Sequence, residues 1–186
     1  MKKALVVGLN NYPKGNALYG CENDAVEITK RLDRHGNGDK NFDVAPIYGE
    51  CSRADLKSAI DTCFQGSSEV ALMYFAGHGM LDSFGGHIIA TDDSNADLSL
   101  RDILEIVNTS KCANKVVILD SCFSGNETCS LKLAKIGIAR RVKKTSESCF
   151  VKPYVSAANY KQRQIFNAVG FTYYKNNFLI NQNCKI

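Results

Sequence analysis

An α/β fold built on a mostly parallel sheet is what this sequence predicts, and three observations carry the prediction. Several short apolar runs are continuous rather than alternating, the pattern of strands buried on both faces. Segments with apolar residues every three or four positions separate them, as amphipathic helices would. Each strand-to-strand interval is long enough for a right-handed crossover, which is how parallel neighbours are joined. The 186 residues, 45% apolar and 23% charged, fill one sizeable core and are short for two, so a single domain over residues 1–186 is expected.

Taken in order, residues 4–9 (Ala-Leu-Val-Val-Gly-Leu) form the first buried strand. With Met1-Lys2-Lys3 ahead of them they imitate a signal peptide, but the apolar run is only six residues long and Asn10-Asn11 follow. Residues 22–32 place Ala25, Ile28 and Leu32 on one helical face. Residues 44–48 read as a second buried strand interrupted by Pro46, and residues 53–64 as a helix with Leu56, Ile60 and Phe64 inward. Ser52 is its cap, with Asp55 three positions on. Residues 70–76 are the third strand; Gly85-Gly86 ahead of His87-Ile88-Ile89-Ala90 reads as a short hairpin of local importance. A third helix over 100–107 starts at Ser99 and Asp102, and 116–119 form the fourth strand. Residues 126–148 lack a clear strand pattern and are long for a structureless loop. A fifth strand is expected at 154–157 and a closing helix over 172–180, despite the Asn-rich end of the latter.

The net charge of +4 is too small for a dedicated polyanion binder. Residues 126–148 alone hold six basic residues against two acids, which accounts for the whole excess. The eight cysteines are scattered singly, with no CxxC pair and no metal-ligand spacing to the three histidines, which points to reduced thiols in a cytosol. No run approaches the roughly 18 apolar residues of a membrane span. A soluble cytoplasmic protein with neither membrane nor nucleic-acid partner is therefore expected.

In an open parallel sheet, reactive groups collect beyond the carboxyl ends of the strands. Three exits are chemically loaded: Asn10-Asn11-Tyr12 with Gly20-Cys21-Glu22-Asn23-Asp24 after the first strand, Ala76-Gly77-His78-Gly79 after the third, and Asp120-Ser121-Cys122-Phe123-Ser124-Gly125 after the fourth. If the last two strands are neighbours, His78 and Cys122 leave one sheet edge side by side. A thiolate is the reactive form of cysteine, and an adjacent imidazole favours it and later protonates a leaving amine. The glycines flanking His78 let backbone approach a substrate, and the Gly79 and Cys122 N–H groups form an oxyanion hole in this reading. Against it stand a structural histidine and a buried, inert cysteine.

At these residues the chain resembles the caspase family, whose histidine lies roughly 50 residues before its cysteine, and especially its metacaspase-like and bacterial branches. The matching pieces are residues 4–10, Gly20-Cys21-Glu22-Asn23-Asp24-Ala25, 74–79 and 116–125, with weaker matches at 154–158 and 170–173. The resemblance implies a three-layer α-β-α fold, peptide-bond hydrolysis by a Cys122–His78 dyad, and a division into a large-subunit-like part (1–125), a basic linker (126–148) and a small-subunit-like part (149–186). Metacaspase-like members use carboxylates at positions matching Asp24 and Asp120. Two carboxylates at one pocket attract Arg by bidentate hydrogen bonds and Lys as a point charge, so cleavage after basic residues follows. The competing reading makes Asp24 a first-turn helix acid and Asp120 a strand-end cap.

By the same resemblance Cys21 lines the pocket wall, and Ala76 stands where metacaspases commonly have a serine. Asp92 and Asp93 loosely match acidic residues tied to calcium, although no ligand loop of defined spacing surrounds them and a solvated acidic loop is the simpler reading. No cofactor is required; calcium is left open. Arg141 and Lys144 in the linker offer the residues such a pocket accepts, so self-cleavage there is one expectation and a solvated charge run the other. The implied partners are a peptide or protein substrate with a basic residue before the scissile bond and an activating protein, in stress, cell-death or defence signalling. A catalytically silent relative that binds peptides or partners through the same cleft is the second hypothesis. A nucleotide-binding doubly wound domain is the third, and neither GxxxxGK[ST] nor GxGxxG follows a strand here.

Overall fold

A computed structural model describes residues 1–92 and 96–121 and the strand backbones at 136–140, 171–174 and 177–180. The elements of the first part are β1 (Lys2–Leu9), α1 (Cys21–Asp33), β2 (Asp43–Gly49), α2 (Arg53–Phe64), β3 (Val70–Ala76), β4 (Gly79–Asp82), β5 (Gly85–Ile89), β6 (Asp97–Ser99), α3 (Leu100–Thr109) and β7 (Asn114–Asp120). β8 (Ile136–Arg140), β9 (Phe171–Tyr174) and β10 (Asn177–Ile180) follow.

The central sheet runs β2-β1-β3-β7-β8 and every neighbouring pair in it is parallel. The chain steps outward from β1 to β2, then crosses back over β1 to β3 and on to β7. Because crossovers keep one hand, reversing the direction of travel moves the connecting helix to the other face. Accordingly α1 packs against Ala4, Val6, Leu72, Tyr74 and Ile118 on one side, and α2 and α3 cover Leu5, Val7, Met73, Phe75 and Val117 on the other. The result is the α-β-α sandwich expected, with the reversal of strand order falling between β1 and β3. In doubly wound sheets that switch point is where clefts form.

Local signals explain the helices. Ser52 accepts a hydrogen bond from the Asp55 N–H at 3.1 Å, and Ser99 does the same for Arg101 at 3.1 Å. α1 has glycine at its cap position, and its first amides are served from a distance: Asn10 Oδ1 accepts from Cys21 N–H at 3.1 Å and Glu22 N–H at 3.4 Å. The first strand exit is thereby tied to the start of α1.

Gly8 determines how closely these two elements pack. A Cβ there would overlap the Cys21 carbonyl oxygen and come within 2.6 Å of the Ala25 Cβ. Gly8→Ala should therefore cost roughly 1–3 kcal/mol or more through overpacking. An unchanged urea midpoint in this variant would contradict the packing account.

Four expectations need correction. β2 is not buried on both faces; it is a sheet edge, and six of its seven residues, Asp43 to Tyr48, are partly or fully exposed. An edge also explains how Pro46 is tolerated opposite Val6. The hairpin after β3 gains a third strand, β6, and Ile88 and Leu98 belong to the core beneath α3, so it is more than local. Residues 126–148 include a sheet strand, β8, whose Ile-Gly-Ile-Ala-Arg composition is too short and mixed to announce one. Finally, 172–180 is not a helix: β9 and β10 pair antiparallel with Tyr173 opposite Phe178, following the aromatic and β-branched character of Phe171-Thr172-Tyr173-Tyr174. The strand expected at 154–157 lies outside the described residues.

Candidate functional site

The register of the sheet brings the three loaded exits level with one another. Tyr48 of β2 pairs with Gly8 of β1, Gly8 with Ala76 of β3, and Ala76 with Asp120 of β7, so one row crosses the sheet at its carboxyl end. Asn10 and His78 each stand two residues beyond this row. Cys122 is also two residues beyond Asp120 in the chain, and lies outside the described residues.

Side chains alternate between faces along a strand, so Ala76 and Asp120 fall on the same side as Tyr74 and Ile118, the side covered by α1. Cys21 and Ala25 of α1 pack on that side, with the half-buried Asp24 between them in sequence. Cys21, Ala76 and Asp120 thus lie at one end of one face, and Asp24 belongs to the first turn of the helix that covers it. Ala76 is 1% exposed and forms floor rather than wall. The buried Tyr74 hydroxyl donates to Asp120 Oδ2 at 3.5 Å, a long contact that steers the carboxylate.

His78 is held at several points. Its Nε2 lies 2.7 Å from the backbone carbonyl of Asn16. A carbonyl can only accept, so Nε2 carries the hydrogen and Nδ1 is the nitrogen left for proton transfer. The His78 backbone N–H donates to the Tyr12 hydroxyl at 2.9 Å, and its carbonyl accepts from Ile89 N–H at 3.0 Å. The Tyr12 and His78 rings meet edge to face with centroids 4.4 Å apart. Burial holds the Tyr12 hydroxyl well above the usual tyrosine range, so it stays protonated.

Gly79 opens β4 opposite Ile88. The preceding pair, His78 with Ile89, is a hydrogen-bonded one, so Gly79 occupies the alternate position whose N–H is directed away from β5. β4 is at the edge of its sheet, and that N–H therefore faces outward. Gly77 has a different reason from the one expected of it: a Cβ there would overlap the Tyr12 hydroxyl and come within 2.8 Å of Phe75 Cζ.

Other candidates resolve differently. The Asp92 carboxylate accepts from the Arg53 N–H at the first turn of α2, a capping arrangement. Asp93, Arg141 and Lys144 lie outside the described residues. Among the described residues, no cluster of three or more His, Cys, Asp or Glu has the geometry to hold a metal ion. His87 sits between Asp97 (2.9 Å from Nδ1) and Asp82 (3.3 Å from Nε2), joining β4, β5 and β6. Neither ring nitrogen makes a hydrogen bond of good geometry, so the two carboxylates approach the imidazole closely without a directed bond. Cys63 is buried under β3, and desolvation pushes its thiol up to about 11, which keeps it protonated and inert. Cys112 precedes β7, at the opposite end of the sheet from His78.

Three contributors are legible in the sequence only in part or not at all. The Asn16 carbonyl is a main-chain group that no residue pattern marks. Asn10 and Tyr12 were visible as polar residues at a strand exit, but their partners lie 11 and more residues away.

A family model for the caspase domain (peptidase C14) matches residues 1–169. Among solved structures, the fold is similar to the crystal structure of the Drosophila initiator caspase Dronc, with a TM-score of 0.56 and 20% identity. The similarity covers 75% of this chain and 54% of that one, so the chain spans about half the length of that relative. No curated protein matches the chain.

Proposed function

Since the chain belongs to the caspase family of cysteine peptidases, we propose that it is an endopeptidase whose His78 and Cys122 form a dyad and whose Asp24 and Asp120 select Arg or Lys before the scissile bond. The observation that carries this reading is the pairing of Ala76 with Asp120: parallel neighbours end level, and each is followed two residues later by one half of the proposed dyad.

The chemistry runs through the chain's own groups. His78 Nδ1 takes the proton of the Cys122 thiol while Nε2–H stays bonded to the Asn16 carbonyl. The sulfur attacks the scissile carbonyl carbon, and the resulting oxyanion is met by the N–H groups of Gly79 and Cys122. Collapse breaks the C–N bond; the leaving amine takes the proton from His78 and a thioester remains. Water, giving its proton to Nδ1, attacks the thioester and releases the acid and the thiol. The two carboxylates supply a negative wall for the cationic side chain.

The basic segment around Arg141 and Lys144 is proposed as a self-processing site, and a cytosolic role in stress, cell-death or defence signalling with an activating partner as the setting. Buried thiols at Cys51, Cys63 and Cys112, with no disulfide among the described residues, support a reducing compartment. No described helix is long and apolar enough to cross a membrane. The test is a fluorogenic panel with Arg, Lys, Asp or Leu before the scissile bond, with and without calcium, and Cys122→Ala as control. Turnover of the Arg and Lys substrates alone is expected. Turnover preferring Asp overturns the specificity, and an inert protein that still binds the peptides favours a silent binding module.

A further inference from the structure

One rung of the β4–β5 ladder is made by a side chain. The register pairs Gly79 with Ile88 and Met80 with His87, so the next pair back is His78 with Ile89. A hydrogen-bonded antiparallel pair exchanges two N–H···O bonds. The first is present, Ile89 N–H to the His78 carbonyl at 3.0 Å. The reciprocal bond is intercepted: His78 N–H donates to the Tyr12 hydroxyl at 2.9 Å, and that hydroxyl donates to the Ile89 carbonyl at 2.9 Å. We infer that Tyr12 is a positioning residue for His78, a hydroxyl wedge that opens the ladder at this pair and so sets the direction in which the imidazole leaves the sheet. This rests on reading His78 as the proton-transfer group of the site.

Three further features agree. The slot exists because residue 77 is glycine; any Cβ would occupy the space of the hydroxyl. The Tyr12 ring stands edge-on to the imidazole, so one residue constrains both backbone and ring of His78. Tyr12 is also anchored from behind, its N–H donating to the carbonyl of Asn10, whose side chain caps α1. His78 and the helix bearing Asp24 are therefore positioned by one connected loop. Tyr12 is a buried residue, so water replaces its hydroxyl only poorly when that group is removed.

Tyr12→Phe in the full chain is the test, because it keeps the ring contact and deletes only the wedge. A small misdirection of the base is expensive in rate. The expected result is a drop of about 10- to 50-fold in kcat with KM within about twofold, together with altered His78 ring 15N shifts that report loss of the single Nε2–H tautomer. Tyr48→Phe is the control: it deletes a hydroxyl bonded to Thr29 Oγ1 at 2.8 Å, away from His78, and should lower the thermal midpoint without changing kcat. Tyr12→Phe that lowers only the midpoint, with kcat and the ring shifts of the parent, overturns the inference. Should the parent protein prove inert as a peptidase, the ring shifts alone decide: a moved His78 tautomer sustains the positioning role, and an unmoved one ends it.

Discussion

His78→Ala should lower kcat/KM on an arginyl peptide by about 10³- to 10⁴-fold, and Cys122→Ala should reduce turnover to the uncatalysed background. The two losses have different origins. Without the sulfur there is no thioester, so nothing remains for the rest of the site to accelerate beyond binding. Without the imidazole the thiol remains but loses its proton acceptor and the donor for the leaving amine. An unassisted thiol ionises near pH 8.5, leaving only a few per cent thiolate at neutral pH. Iodoacetamide alkylation of Cys122 distinguishes this from simple unfolding. In the parent it should stay fast below pH 7, whereas in His78→Ala it should follow one ionisation near the ordinary thiol value. His78→Ala keeps the backbone bonds of residue 78 but loses the ring's bond to the Asn16 carbonyl and its contact with Tyr12, so a modest fall in the urea midpoint is expected beside the much larger kinetic loss. A parent alkylation profile identical to that of His78→Ala would contradict the pairing of the two groups.

The second large effect is expected at the acidic end of the α1 face. Asp120→Asn and Asp24→Asn should each reduce kcat/KM for Arg and Lys substrates by about 30-fold or more, since truncating one partner of a desolvated charge pair costs about 2–5 kcal/mol. Asp120 is expected to show the greater loss. It ends a core strand and is steered by the buried Tyr74 hydroxyl, whereas Asp24 rides on the first turn of α1. A substrate with Leu before the scissile bond should be affected little. Equal losses on Arg and Leu substrates would instead assign both acids to structure, Asp24 as a first-turn helix acid and Asp120 as a strand-end cap. Raising ionic strength should weaken the Arg preference of the parent and leave that of an Asp24→Asn/Asp120→Asn double variant flat.

How far the sequence foretells this molecule depends on whether the signal is local. The cores of β1, β3 and β7 are continuous apolar runs buried on both faces, and α2 carries its own cap at Ser52; both read directly from neighbouring residues. β2 looks similar as a string, yet it is the sheet edge, because burial is decided by strand order and not by composition. β8 is five residues containing glycine and alanine, held by pairing with β7, a partner the string does not name. The β9–β10 hairpin shows the opposite failure: aromatic and β-branched residues outweighed a weak helical spacing.

The candidate site divides in the same way. His78 and Gly79 stand out because strand exits collect reactive groups, whereas Asp24 and Asp120 are picked out by the family resemblance. The fastening of His78 was hidden. Asn16 contributes only its carbonyl, and Tyr12 acts across 66 residues of chain to replace a ladder bond, neither of which leaves a periodic trace.

The most direct measurement is covalent labelling with an electrophilic ketone carrying arginine at its recognition position, read by peptide mass spectrometry across all eight cysteines. One adduct, on Cys122, is predicted, lost in His78→Ala and strongly slowed in the Asp24→Asn/Asp120→Asn double variant. Label spread over several thiols, or a Cys122 adduct formed equally well by the aspartyl analogue, would contradict a cysteine–histidine pair working over a negative pocket.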